Sequence, residues 1–272
     1  MIFNTRIKSE SILRKRIRKF KGLKRGYYSF IILITLYLIS FLNPLLINNK
    51  ALVVKYNGEY FFPVSNYYSS NTFSQKGYGE AQYRKLDKHF KDGNSSNWVL
   101  MPPYPYHPNE SLLAEIDSEP PHAPSSQHWL GTDNRARDVF ARMVYGFNIS
   151  ISFALIVTMV AYIIGITIGA ILGFFGGRVD MFGQRFIEIF ASIPFLYMVI
   201  IISSVIQPSF WLLVGIMSCF NWVGMTYYIR GEFYREKAKD YVSAAISMGA
   251  NNRQIMFKHI LPNALTPIIT FS

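Results

Sequence analysis

Residues 147–175 read FNISISFALIVTMVAYIIGITIGAILGFF, an apolar run with no charge between Arg142 and Arg178. A strand of that length would be exceptional, whereas a helix rising 1.5 Å per residue reaches past the ~30 Å of a bilayer's hydrocarbon core. Backbone polar groups in hydrocarbon find no water, so a spanning segment must close its hydrogen bonds internally, which a helix does. The run is therefore read as a membrane-spanning helix. Gly165, Gly169 and Gly173 recur within it at every fourth position. That spacing makes a flat face, used either as a packing seam for another helix or as one wall of a substrate path.

Working outward, three more segments carry the same signal. Tyr27 to Ile47 has no charge and at 1.5 Å per residue reaches about 32 Å. Phe186 to Ile206 contains one acid, Glu188, and ends at Gln207-Pro208; Phe210 to Ile229 follows, so these two form a hairpin with a short turn. The composition agrees: of 272 residues 50% are apolar and 16% charged, where soluble domains carry roughly 25% charge. The fold class is all-α integral membrane protein. The first run is too long for a signal-peptide core and lacks a small-residue cleavage site, so it reads as a retained anchor.

Net charge is +12. Much of it precedes the anchor: Arg6, Lys8, Arg14, Lys15, Arg16, Arg18, Lys19, Lys21, Lys24 and Arg25 face a single acid, Glu10. The positive-inside rule places this tail in the cytoplasm, where it also meets anionic lipid; an adjacent span explains the cluster without nucleic acid. Residues 48–146 then lie outside, 176–185 inside, 207–209 outside and 230–265 inside, the last with Arg230, Arg235, Lys237, Lys239, Arg253 and Lys258. The expected organisation is a cytoplasmic tail (1–26), a first span (27–47), a periplasmic insertion (48–146) and a core (147–272). That core holds three spans, a cytoplasmic loop (236–263) and the start of a further span near Pro267. Cys219 is the only cysteine, so no disulfide framework exists, and no two of the five histidines are spaced as metal ligands on one helix face.

In the insertion, ALVVKYNGEYFFPV (51–64) places Asn57-Gly58 between two β-prone runs and predicts a hairpin. MPPYPYHPNE and SEPPHAPSS are expected to run extended. The insertion is either a cap that meets a soluble delivery protein or a lid on the helix ends. In Leu130-Gly131-Thr132-Asp133, either Thr132 or Asp133 is expected to cap an interfacial helix carrying Arg137 and Asp138. Within the spans, Glu188 either pairs with Arg185 at the helix end or meets substrate. Pro194 is expected to kink the third span, and Ser192, Ser203, Ser204 and Asn221 are the polar groups that could bond a translocating peptide backbone.

Residues 240–263 read DYVSAAISMGANNRQIMFKHILPN. Ala244 and Ala245 are small enough to seat a helix in a partner's groove, Gly249 fits a left-handed helix end, and Asn251 or Asn252 can cap a second helix that stops before Pro262. Two short helices joined by a tight turn are predicted. This loop resembles the EAA loop of ABC-importer permeases, with Ala244, Ala245, Gly249, Leu261 and Pro262 in register and Ser243 where Glu is usual; Asp240 and Tyr241 open it and His259 lies within it. The Leu-Gly-Thr-Asp stretch, with Ala136 and Ala141 where Gly and Ser are usual, and Gly-Gly-Arg-Val-Asp (176–180) resemble the oligopeptide and dipeptide branch. Within that branch the long insertion is most similar to the Yej-type permease of a peptide and microcin C importer.

The resemblance implies a MetI-like helical bundle of type I importers in the bacterial inner membrane. It implies a second permease subunit, cytoplasmic ABC ATPase subunits that use ATP and Mg, and a periplasmic binding protein that delivers peptide. It also implies two further spans, whereas the chain ends at Ser272. The sequence has no Gly-Lys pair and so no Walker A loop, no cofactor site and no convergent catalytic set; it is read as a transporter subunit and not an enzyme. The alternative is a membrane-anchored scaffold without transport.

Overall fold

A computed structural model describes residues 12–93, 96–116 and 119–264; the segment opening at Pro267 lies outside them. The chain forms two compact units, Met1–Ile151 and Ser152–Ser272.

The first unit begins with α1 (Ile12–Gly22), α2 (Lys24–Ser40) and α3 (Asn43–Leu46). The predicted first span is thus not one helix. α2 has 17 residues, about 26 Å, and short-range bonds from the Phe41 and Leu42 amides to Leu38 and Ile39 close its end. Pro44 then starts α3 in the first turn, where its missing N–H costs nothing.

The predicted hairpin is present as β1 (Val53–Tyr56) and β2 (Glu59–Phe61), with Asn57 and Gly58 both at positive φ. A third strand, β3 (Trp98–Leu100), pairs antiparallel with the other edge of β1. α4 (Tyr83–Asp92) covers this sheet: Tyr83, Leu86 and Phe90 repeat at helical spacing and are buried with Val54 and Phe73. Arg84 leaves that core and donates to both Glu110 carboxylate oxygens, to Glu115 and to the Pro105 carbonyl, tying down the proline-rich stretch.

α5 (Val139–Phe175) starts in the first unit and continues into the second, which adds α6 (Gly177–Ser192), α7 (Phe195–Val205) and α8 (Phe210–Lys237). α5 and α8 are long and apolar enough to cross a membrane, and α6 with α7 make a third candidate if their 66° bend is taken within one span. The bend falls at Ile193-Pro194, where proline was expected to kink the helix.

α5 packs on α8 through the glycine face. A Cβ at Gly165 would stand 2.8 Å from the Trp222 carbonyl oxygen, at Gly169 2.6 Å from that of Thr226, and at Gly173 2.7 Å from that of Arg230. The seam is a place where two backbones meet, which no residue with a side chain permits without separation of the helices. Below it Ala170, Phe174, Ile229 and Phe233 join residues of the 240–264 stretch in one core.

Candidate functional site

α8 ends at Lys237, and α9 (Asp240–Ser247) follows almost at once. The reversal is fastened by Glu236, which is 4% exposed. Its carboxylate accepts from the Lys239 ammonium at 2.6 Å and from the Tyr241 hydroxyl at 2.9 Å. Asp240 sits in the first turn of α9, where a negative charge complements the helix dipole. Val242 is buried in one core with Ile229 and Phe233 of α8 and Ala245 is buried too, while Ser243 and Ala244 face outward. Of the two alanines read as a groove-seating pair, one belongs to the chain's own core.

α9 stops as a Schellman turn: the Ala250 amide donates to the Ala245 carbonyl and the Gly249 amide to that of Ile246, with Gly249 at φ +80°. Asn251 then opens α10 (Asn252–Gln254) with a reciprocal capping box, its side chain accepting from the Gln254 amide and the Gln254 side chain from the Asn251 amide. Here the structure departs from expectation. The helix does not stop before Pro262 but widens into a π turn over Ile255–Ile260 and continues to residue 264. A widened turn just ahead of a proline relieves the clash between its ring and the preceding turn's carbonyl. His259 is half-buried, Leu261 packs on the core and Pro262 is exposed. The loop turns Ile246 (56% exposed), Met248 (79%) and Phe257 (58%) to solvent.

The Gly131–Asp138 stretch is a loop, not the interfacial helix expected to carry Arg137 and Asp138. Gly131 is at φ +71°, and a Cβ there would stand 2.2 Å from the His122 carbonyl oxygen. Thr132 caps nothing; its hydroxyl accepts from the His122 amide. Asp133 folds the loop on itself, accepting from the amides of Arg135 and Arg137 and from the Arg137 guanidinium. Burial acts to raise the Asp133 pKa, but these donors outweigh it and hold the carboxyl at about 2. The helix cap is Asp138: one carboxylate oxygen accepts from the Ala141 amide in the first turn of α5, and the other meets the Tyr104 hydroxyl and His128 Nδ1.

Three of the polar residues read as able to line a peptide path bond carbonyls of their own helices. Ser192 donates to the Ile189 carbonyl, Ser204 to that of Ile201 and Asn221 to that of Met217. Pro194 marks the bend and Ser203 lies on α7. Glu188 pairs with Arg185 at 2.6 Å, both on the outer face of the helices. A cluster not singled out as a site in the sequence joins α6 to α8. Arg230 donates through two nitrogens to the Asp180 carboxylate, which also accepts from the Tyr234 hydroxyl at 2.8 Å. The Lys237 ammonium donates to the Phe174 carbonyl. The only signal for it was the Gly-Gly-Arg-Val-Asp resemblance, since its members lie some fifty positions apart.

Apolar helices with a paired-helix loop docked at the end of α8 are compatible with a transport permease, and comparison places the chain in that class. Residues 165–272 match the family described as binding-protein-dependent transport system inner membrane component. The chain is 38% identical over 257 residues to the inner membrane ABC transporter permease protein YejE of Escherichia coli K12, covering 94% of this chain and 74% of that one. It is 37% identical over 283 residues to the peptidoglycan transport system permease protein YejE of Agrobacterium fabrum, covering 95% and 73%. With the dipeptide transport system permease protein DppC of Bacillus subtilis it shares 33% over 165 residues, 61% and 52% of the two chains. The chain belongs to the binding-protein-dependent transport permeases.

Proposed function

We propose that this chain is one of two permease subunits of an ATP-driven peptide importer, in the bacterial inner membrane as a multi-pass protein with its N-terminus in the cytoplasm and residues 48–146 in the periplasm. Relatives are named as permeases of peptidoglycan, dipeptide and oligopeptide transport systems, which supports peptide as the cargo. Partner ATPase subunits bind and hydrolyse ATP with Mg, and a periplasmic binding protein hands over the peptide.

The observation that supports this reading best is the 240–262 loop. It is short, its turn is closed by a Schellman motif on one side and a capping box on the other, and a buried core seats it on α8, yet it leaves Ile246, Met248 and Phe257 uncovered. A loop built that rigidly transmits displacement, and its apolar outer face suits the groove of an ATPase subunit. Ser243 leaves room at the exposed side of α9 but supplies no charge, so the contact rests on shape and apolar area.

The test is co-expression with a partner permease, the ATPase subunits and the binding protein, followed by reconstitution into liposomes. Peptide-loaded binding protein should stimulate ATP hydrolysis and peptide should accumulate inside. Met248→Glu should abolish co-purification of the ATPase. An assembly that hydrolyses ATP without moving peptide under any loading would instead identify an anchored scaffold.

A further inference from the structure

Resting on the coupling role proposed above, we propose that Asp180, Arg230, Tyr234 and Lys237 form a joint that makes α8, the end of α5 and the start of α6 move as one body with α9. These are positioning residues for transport.

Three observations meet at this place. First, the α5–α6 connection is sharp: Gly176 and Gly177 are both at positive φ, so α6 begins directly beside the end of α5. Second, both sides of that turn are bonded to the same turns of α8. Arg230 binds Asp180 in bidentate fashion with the second nitrogen at 2.6 Å, the Tyr234 hydroxyl reaches the same carboxylate, and the Arg230 guanidinium stacks 5.1 Å from the Tyr234 ring. Lys237 holds the Phe174 carbonyl at the last turn of α5. Third, Ile229 and Phe233, on the adjoining face of α8, are fully buried against Val242 and Ile260 of the loop. Packing alone lets helices slide. A planar two-point ion pair fixes angle as well as distance, since both N–H bonds must stay aligned. Displacement arriving through α9 is thereby delivered to the α5–α6 turn, and the 66° bend at Pro194 is the next place along the chain where the direction of the helix changes.

The test uses the assembled transporter in liposomes and reads ATP hydrolysed per peptide imported. Arg230→Ala should retain hydrolysis while uptake falls about tenfold, a loss within the usual range of coupling energies. Asp180→Arg combined with Arg230→Asp should return the ratio toward wild type, which a purely structural role in folding would not require. If Arg230→Ala does not assemble, Tyr234→Phe, which removes one hydroxyl, decides: a raised ratio supports the joint and an unchanged ratio overturns it. An unchanged ratio in assembled Arg230→Ala also overturns it. Failure of the wild-type assembly to import peptide would instead refute the importer reading itself.

Discussion

The Asp138 carboxylate lies 2.7 Å from the Tyr104 hydroxyl while its second oxygen caps the first turn of α5. One buried acid therefore links a proline-rich segment to a long apolar helix. Asp138→Ala removes the cap and leaves the hydroxyl and the His128 ring without their acceptor. The expected loss is about 3 kcal/mol, the sum of a lost cap and unpaired buried groups. Chemical unfolding in detergent should show it, with Lys91→Ala, an exposed i,i+4 pair with Asp87, as a control that changes stability by under about 0.5 kcal/mol.

Gly169→Ala should destabilise the protein by about 1–3 kcal/mol, because the added carbon meets the Thr226 carbonyl oxygen and the α5–α8 seam must open. Gly215→Ala on α8, where nothing stands within 4 Å of the new carbon, should be neutral or slightly stabilising. Equal melting temperatures for the two variants would refute the seam.

Gly249 behaves differently, since a Cβ there has open space and only its φ of +80° resists a side chain. Gly249→Val should strain the turn by about 1–2 kcal/mol and reduce uptake, whereas Gly249→Asn should be milder because asparagine tolerates the left-handed region. Peptide uptake that is the same in all three proteins would remove the turn from the mechanism.

The pH dependence of the 131–138 loop follows from Asp133. Its folded value of about 2 lies below the ~3.9 of an unfolded aspartate, so its contribution is present above about pH 4 and lost as pH falls through about 2. The stability advantage of wild type over Asp133→Asn should shrink across that window and remain constant between pH 5 and 7. A difference that widens on acidification would contradict the sign.

What the sequence made legible was local chemistry. Asn57-Gly58 marked the hairpin, Gly249 the left-handed reversal, and Asn251 with Gln254 the capping box, because each is a property of adjacent residues. The glycine face was visible as a period, although its partner α8 was not. Three features were hidden for different reasons. β3 pairs with β1 from some forty residues away and is only three residues long. The interfacial helix expected after Thr132 or Asp133 is a loop, and the residue that caps α5 is Asp138, whose burial among distant partners no local pattern shows. The Asp180–Arg230 pair spans fifty positions, so neither residue carries a local sign of the other. Periodicity also overran helix ends: the first apolar run is continuous to Ile47, but the backbone breaks at Phe41 while hydrophobicity does not.

Ile246, Met248 and Phe257 have a consequence for the life of the chain before it meets anything. Apolar side chains held open on a rigid turn favour aggregation and offer a handle to surveillance proteases. An unassembled copy therefore displays the very surface that marks it as surplus, and accumulation of the protein should track the supply of whatever covers that turn.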